Sequence, residues 1–359
     1  MAGRAAAEER DGIALSNLDT ALFDGADATK RDLVDHLDAL SGQVVAGLTG
    51  RALSVVRVLR GQDPFMQKNT PRYAPGWLPT LPAWAASSGR QVRYPVVDDR
   101  RGLLWFANQR AVEYHPQLFT GTDWHRQTHL VVDLDPPQDA DPLSGTGFRA
   151  ATRTALLVRE VLAAAGMAAA VKTSGSKGVH VVVPLDVPAD GAPLLPSADG
   201  GGSWTEDVMA ATRAVAARAE RLDPALATTA YLKADRGGKV FLDATRSGGA
   251  TVVAAYSPRV RPGTPVSWPV PWSDLDRVLP RDATVRTARG LLASPDADPW
   301  RDLLPAPQAL DPSLVEEGRA IPVARVAAMH EGKRRARARR EAMSSGPAGG
   351  PTSDSPDHP

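Results

Sequence analysis

The 359-residue sequence contains no cysteine. That absence excludes disulfides, Cys-ligated zinc, iron–sulfur clusters and thiol nucleophiles. A charge excess is missing too: 42 Lys and Arg stand against 41 Asp and Glu, a formal net charge of +1. Any nucleic-acid surface must therefore come from local clustering of basic residues. Nowhere do 18 consecutive apolar residues occur, and the first residues, MAGRAAAEERDGIAL, have no apolar signal-peptide core. No membrane association is expected, and a cytoplasmic protein is. Aromatics make up only 5% of the chain, but 43% hydrophobic content is ordinary for a globular protein. The length suffices for one large core or two smaller ones.

What is present divides the chain. Residues 1–12 are small, charged and patternless, which predicts a flexible lead-in with order beginning near Ile13. After a Thr29 cap, Leu33, Val34, Leu37, Leu40 and Val44 share one helical face, and Gly47 lies just beyond its end. The strand-like ALSVVRVL follows. Residues 61–82, rich in Pro and Gly, predict an extended loop carrying FMQKNTP and PGWLP. From His129 to Tyr256, short β-branched runs alternate with two longer helical ones, which predicts an α/β or α+β core. Its expected strands are 129–135, 169–174, 179–183, 239–244 and 250–256, and its helices span roughly 147–165 and 205–222. Residues 188–203 read as a loop. Beyond Trp300 one helix is expected over PSLVEEGRAIPVARVAAM, then the basic run KRRARARR (333–340). The expected domains are a catalytic domain at 13–303, a helical basic extension at 304–340 and a disordered tail at 341–359.

Three segments carry chemistry. In the strand Val131-Val132-Asp133-Leu134-Asp135, side chains two apart share a face, so Asp133 and Asp135 project together while Val132 and Leu134 point to the core. Paired carboxylates repel unless a cation lies between them, and two Mg²⁺ or Mn²⁺ ions about 3.5–4 Å apart satisfy that need. Taken alone, DLDPP fits equally a strand ending in a Pro-stopped turn with capping aspartates. Next, Lys172-Thr-Ser174-Gly-Ser176-Lys177-Gly-Val-His180 lies between two strands. Glycines that let backbone N–H groups turn inward, two hydroxyls and Lys177 suit phosphate oxygens, with His180 placed to donate a hydrogen bond. The bland alternative is a polar hairpin with a lone histidine. Third, Asp243 ends the strand KVFL, where a third carboxylate would complete an oxygen-rich site. Arg236 and Arg246 flank it as clamps for a triphosphate, although each alone fits a surface charge cluster. The conjunction of the three pieces favours the chemical reading.

DLDPP, SGSKGVHVVVPL and RGGKVFLDATRSGGATVVAAYSPRVRPGTPVSWPVPW resemble, in order and spacing, the three motifs of the archaeo-eukaryotic primase superfamily. More closely, they resemble the polymerase domain of bacterial ligase D and its stand-alone relatives. LSNLDTALF, FMQKNTP and LLWFANQRAVEYHP extend it over roughly residues 13–303. The resemblance implies an α+β fold, an RNA-recognition-motif-like catalytic sheet flanked by helices with a smaller N-terminal α/β part. It also implies templated attack of a primer 3′-hydroxyl on the α-phosphate of an NTP or dNTP, with ribonucleotides and Mn²⁺ favoured. Asp133, Asp135 and Asp243 match the metal-binding aspartates. Ser174, Lys177, His180, Arg236 and Arg259 match triphosphate contacts, and His115 matches a histidine near the sugar. Lys30 and Lys68 match basic positions of the DNA-facing side, Lys30 one that grips a 5′-phosphate across a gap. Phe65 matches a base-stacking aromatic. A nucleoid-associated monomer acting on gapped or primed DNA is implied, with a separate DNA ligase and a Ku-like protein as potential partners.

The sequence departs from the family pattern at three places. Thr20 stands where a second gap-side lysine is usual, Met66 follows Phe65 where the family pairs two phenylalanines, and Arg246-Ser247 replaces a Gln-Asn. These changes point to short-gap filling in excision repair ahead of dedicated end joining. Lys233-Ala-Asp-Arg ends in Arg and lies within the third motif, so it is not read as a ligase KxDG. Two other readings are a primer-synthesising primase-polymerase, distinguished by dinucleotide synthesis on an unprimed strand, and a catalytically silent DNA-binding scaffold, distinguished by salt-dependent binding without nucleotide transfer.

Overall fold

The computed structural model describes residues 8–85, 90–137, 145–196, 201–248 and 251–323. The chain enters through a hairpin of β1 (Glu9–Arg10) and β2 (Ile13–Ala14). Asp11 and Gly12 turn it, both at positive φ (51° and 71°), as a tight Asp-Gly turn requires. Residues 8–12 were expected within a flexible lead-in; instead Arg10 pairs with Glu8, Asp35 and Asp38, so electrostatics hold a segment too short for an apolar pattern. Residues 1–7 lie outside the described residues.

The Thr29 cap forms a full capping box with Asp32 and opens α1 (Lys30–Ala39). A second helix, α2 (Ser41–Leu48), follows at once, where the apolar spacing predicted a single one. Ser41 and Gly42 are weak helix formers, and the break falls just before them at Leu40 (φ −107°, ψ 21°). The apolar stripe survives it: Leu33, Val34, Leu37, Leu40 and Val44 are all fully buried. Gly47 lies inside α2, and Gly50, at φ +68°, takes the stop role.

β3 (Leu53–Arg57) pairs with β4 (Phe65–Gln67) on one side. FMQ, expected in a loop, is thus an exposed edge strand, three residues long and too short to show alternation. β5 (Thr80–Ala85) and β6 (Arg90–Pro95) form a hairpin. Then come α3 (Arg100–Asn108), N-capped by Asp99, and β7 (Ala111–Pro116), which completes the three-stranded sheet.

The second half runs β8 (His129–Asp135), α4 (Thr146–Ala164), β9 (Ala170–Thr173), β10 (Val179–Pro184), α5 (Trp204–Leu222), β11 (Ala227–Thr228), β12 (Val240–Asp243) and β13 (Pro269–Val270). Its six-stranded sheet has the order β11-β12-β8-β10-β9-β13, antiparallel except for β11 against β12. Period-two alternation sorts the two faces. Leu130, Val132 and Leu134 of β8 and Val179, Val181 and Val183 of β10 pack with Phe148, Ala155, Val158, Val208 and Val215 of α4 and α5. Each of the larger apolar side chains so buried contributes roughly 1.5–3 kcal/mol. The opposite face carries Val131 and Val182, buried with Leu118 and Val252, and beside them a row of polar residues.

The strand expected over 250–256 does not form. Among the described residues there, Thr251 makes an isolated bridge to Gln117, and the Val252 and Ala254 amides donate to β7 carbonyls without a reciprocal ladder. Tyr256, at φ +64°, then turns the chain away. The segment is apolar because it is buried between layers, and burial without two-sided pairing looks like a strand in sequence.

The expected boundary at 303 is also passed by the core. After α6 (Pro299–Leu303), α7 (Pro312–Ala320) buries Leu314 and Val315 in the same cluster as α5, and Arg319 pairs with buried Asp207 at 2.6 Å. The compact unit extends to Ile321. α7 stops before Pro322, which cannot continue a helix. The basic run 333–340 and the tail 341–359 lie outside the described residues. No helix among the described residues is long and apolar enough to cross a membrane.

His36 of α1 is fully buried, its Nε2 2.9 Å from the carbonyl oxygen of Tyr256. Burial pushes its pKa down to about 4, against a smaller opposing effect of that hydrogen bond. Between about pH 6.5 and 4 the unfolded chain binds a proton at this position that the folded chain does not, so stability falls as pH drops through that window. The expected loss is on the order of 3 kcal/mol. The fall in thermal midpoint between pH 7.5 and 4.5 should be smaller in His36→Gln than in the wild type, and equal falls would contradict this role.

Candidate active site

Strand register builds the site. Asp243 of β12 lies opposite Asp133 of β8, Asp133 opposite His180 of β10, and His180 opposite Lys172 of β9. One polar residue from each of four adjacent strands thus stands in a row on the face away from the helices. Asp135 projects from the same face two residues along β8. Oxygens of Asp133, Asp135 and Asp243 lie within 4.8 Å of one another. The carboxylates are fixed from outside: Thr245 N–H and Oγ1 donate to Asp243 Oδ1 (2.8 and 2.6 Å), and Arg246 Nε donates to Asp133 Oδ2 (3.0 Å) and lies 3.3 Å from Asp243 Oδ2. Asp133 is held well below the usual carboxylate range; burial would raise it, but His180 and Arg246 outweigh burial. Asp135 is pushed up to about 6 by burial and the neighbouring Asp133 and Asp243. An all-oxygen donor set with such crowding fits a hard divalent cation.

The β9–β10 turn forms one wall. The Ser174 hydroxyl accepts from the amides of Ser176 and Gly178. Gly175 sits at φ +64°, where a Cβ would lie 2.7 Å from both Arg259 Cγ and the Ser267 amide nitrogen. Opposite, β7 contributes Glu113 and His115 from one face. Glu113 Oε2 lies 2.8 Å from His115 Nε2 and 3.1 Å from Arg259 Nε, while Oε1 accepts from the Val260 amide (2.8 Å). Burial would raise the Glu113 pKa, but His115 and Arg259 hold it at about 2, so it is an anion throughout the working range. Arg259 also donates to the carbonyl oxygen of Ser174, tying the turn to β7. Arg236 stacks its guanidinium carbon 3.7 Å from the Phe241 ring centroid, and its Nε and Nη2 donate to the carbonyls of Ala230 and Tyr231.

A cavity of about 330 Å³ opens between these walls. Its lining includes His115, Asp133, Asp135, Ser174, Ser176, Lys177, His180, Arg236, Arg246 and Arg259, every expected nucleotide contact together with two of the three aspartates. Cations from four segments of the chain face one acidic corner. Arg246, expected as a triphosphate clamp, bonds the carboxylates themselves. Glu113 and Arg261 were overlooked in the sequence, and Lys172 and Lys233 were named there without a role in the site; Lys233 and Arg261 line the cavity, Arg261 donating to Ser176 Oγ at 3.0 Å. Glu113 carried a signal, since it precedes His115 by two on a strand and shares its face.

Residues 29–300 match the family described as LigD, primase-polymerase domain. The chain belongs to this family. LigD primase-polymerase domains are DNA-directed nucleotidyltransferases. The chain is 33% identical over 284 residues to the multifunctional non-homologous end joining DNA repair protein LigD of Mycobacterium tuberculosis, covering 76% of this chain and 34% of that protein. To the bifunctional non-homologous end joining protein LigD of Bacillus subtilis it is 28% identical over 270 residues, 74% of this chain and 40% of that one. It therefore spans between a third and two fifths of those two relatives. The solved polymerase domain of Mycobacterium tuberculosis ligase D in complex with DNA is similar in structure, with a TM-score of 0.65 and 30% identity over 82% of this chain and 98% of that chain. The fold expected from the motifs, an α+β primase-polymerase domain, is the fold observed.

The three expected DNA-side residues stand apart from the cavity lining. Phe65 and Lys68 are exposed at and just beyond the edge strand β4, Phe65 near the Arg57 guanidinium (5.9 Å to the ring centroid). Lys30 is only 2% exposed. Its Nζ reaches the carbonyl of Ser16 (2.6 Å) and Asn108 Oδ1 (2.7 Å), and burial, with Arg110 nearby, lowers its pKa to about 8. Thr20, in place of the usual lysine, accepts a hydrogen bond from Arg110 at 3.1 Å.

Proposed function

We propose that this LigD-family domain fills short gaps during DNA repair by template-directed nucleotidyl transfer, with ribonucleotides preferred. The observation that carries the reading is the convergence of three carboxylates within 4.8 Å beside a cavity lined by Lys177, Arg236 and Arg259. Asp133, Asp135 and Asp243 would hold two Mn²⁺ or Mg²⁺ ions. When bound, such ions supply Lewis-acid activation of the primer 3′-hydroxyl and neutralise charge developing on the α-phosphate. The chain's own residues bind and orient. Ser174, Ser176 and Lys177 on the β9–β10 turn, with Arg259, cradle the triphosphate, and Arg236 approaches it from the β12 side. His115, fixed by Glu113, faces the sugar. Phe65 on β4 and Lys68 just beyond it carry the template strand.

End joining with a separate DNA ligase and a Ku-like protein is the second reading, favoured by the names of the relatives. The two differ in their dependence on a downstream 5′-phosphate. A labelled primer annealed opposite a one- to five-nucleotide gap, with and without that phosphate, tests both, using NTP and dNTP in parallel with Mn²⁺ or Mg²⁺. Gap filling predicts extension that EDTA abolishes, faster with NTP, and changed less than about threefold by the phosphate, roughly 0.7 kcal/mol. A gain of tenfold or more from the phosphate supports end joining. No incorporation under any condition defeats both.

A further inference from the structure

Lys172 stands in the row that carries the carboxylates, yet the chemistry above assigns it no task. It is 3% exposed. Its Nζ lies 2.8 Å from His180 Nδ1 and 2.7 Å from Ser267 Oγ. The Ser267 hydroxyl donates its own hydrogen to the carbonyl oxygen of Thr173 (2.8 Å), so it serves Lys172 as an acceptor. Across the ring, His180 Nε2 lies 3.2 Å from Asp133 Oδ1. An ionised carboxylate has no proton to give, so that contact requires the hydrogen on Nε2. With the hydrogen on Nε2, facing the carboxylate, Nδ1 is left as the acceptor that meets Lys172. Lys172 is the donor Nδ1 needs. Both of its neighbours, His180 Nδ1 and Ser267 Oγ, stand as acceptors, and the Lys172 amine has an N–H for each.

We infer that Lys172 is a positioning residue for nucleotidyl transfer: by donating from Nζ to Nδ1 it holds His180 as the Nε2–H tautomer and thereby aims the carboxylate of Asp133. The chain Ser267–Lys172–His180–Asp133 crosses three strands and ends on a carboxylate proposed to bind metal. Without a donor at Nδ1 the proton is free to move there, and the Nε2 lone pair then faces Asp133 and repels it. Asp133 would keep Arg246 alone to orient it. Partners one step behind a metal ligand typically govern affinity or activity by about 10–100-fold.

The kinetic part rests on the polymerase reading; the tautomer does not, and it is measured separately. Long-range ¹H–¹⁵N spectra of the full, metal-free chain labelled at histidine, at pH 7.5, report which ring nitrogen carries hydrogen, with His180 assigned through His180→Gln. The wild type is expected as the Nε2–H form. Lys172→Met keeps the length and the buried stem but removes the donor, and should shift the ring to an Nδ1–H or mixed population. In primer extension it should lower kcat by about 10–100-fold and raise the Mn²⁺ requirement about tenfold, with nucleotide KM within about threefold. A wild-type ring found as Nδ1–H overturns the inference without any variant. So does an unchanged ring spectrum in Lys172→Met, or a kcat within twofold of the wild type. A wild-type chain with the expected tautomer but no extension activity would instead sink the polymerase reading.

Discussion

Asp133→Asn is expected to lower primer extension by on the order of 10³-fold or more while leaving the fold intact. Asparagine keeps the shape, so the β8 backbone and its pairing with β10 and β12 are undisturbed. What goes is the central charge of the row: Arg246 and His180 both lose their anion, and the three-carboxylate site loses the member that faces both neighbouring strands. Without divalent metal the variant should remain folded, because relief of Asp135 from Asp133 opposes the loss of the contacts that Asp133 makes with Arg246 and His180. Added Mn²⁺ should raise the wild-type thermal midpoint, as any ligand of the native state does, and should raise that of the variant much less. The two measurements separate a lost metal site from a damaged fold. Undiminished extension, or equal stabilisation by Mn²⁺, would remove the metal site from Asp133.

Gly178→Ala is expected to be the most damaging small substitution in the catalytic sheet. A Cβ there would lie 2.1 Å from the carbonyl oxygen of Leu134 and 3.2 Å from its carbon. Both atoms are backbone, so no side chain can yield; β8 and β10 must move apart. Leu134 lies between Asp133 and Asp135, so the displacement falls on the carboxylate pair. A cost of about 3 kcal/mol, with a thermal midpoint lower by roughly 5–10 °C, follows from overpacking of this kind. Extension should fall by at least about tenfold even well below the new midpoint, because displaced ligands misplace the reacting atoms. A variant with wild-type stability and rate would show that the strands do not meet so closely here.

The parts of this architecture legible in the sequence are those governed by local periodicity. β8 spans 129–135, as the alternation of valine, leucine and aspartate implied, and α4 and α5 lie within a residue of the expected limits. The site residues converge because they sit on, or at the ends of, strands whose face can be counted. What the sequence hid depends on distant partners. Lys30, which by resemblance matches a position that grips a 5′-phosphate, has acceptors 14 and 78 residues away that enclose it. Glu113 meets the Val260 amide 147 residues on, and no local pattern encodes that contact. The 251–256 segment is apolar through packing against β7, and β4 is too short for any period to appear.

The alternation within β8 has a consequence for folding fidelity. Shifting this strand by one residue against its neighbours would drive Asp133 and Asp135 into the hydrocarbon layer under α4 and α5 and swing Val132 and Leu134 into the cleft. Stranding two carboxylates there without partners costs far more than any misregistered pairing returns. The same aspartates therefore also reject misaligned competitors, so a sheet that closes at all closes with these carboxylates on the cleft side.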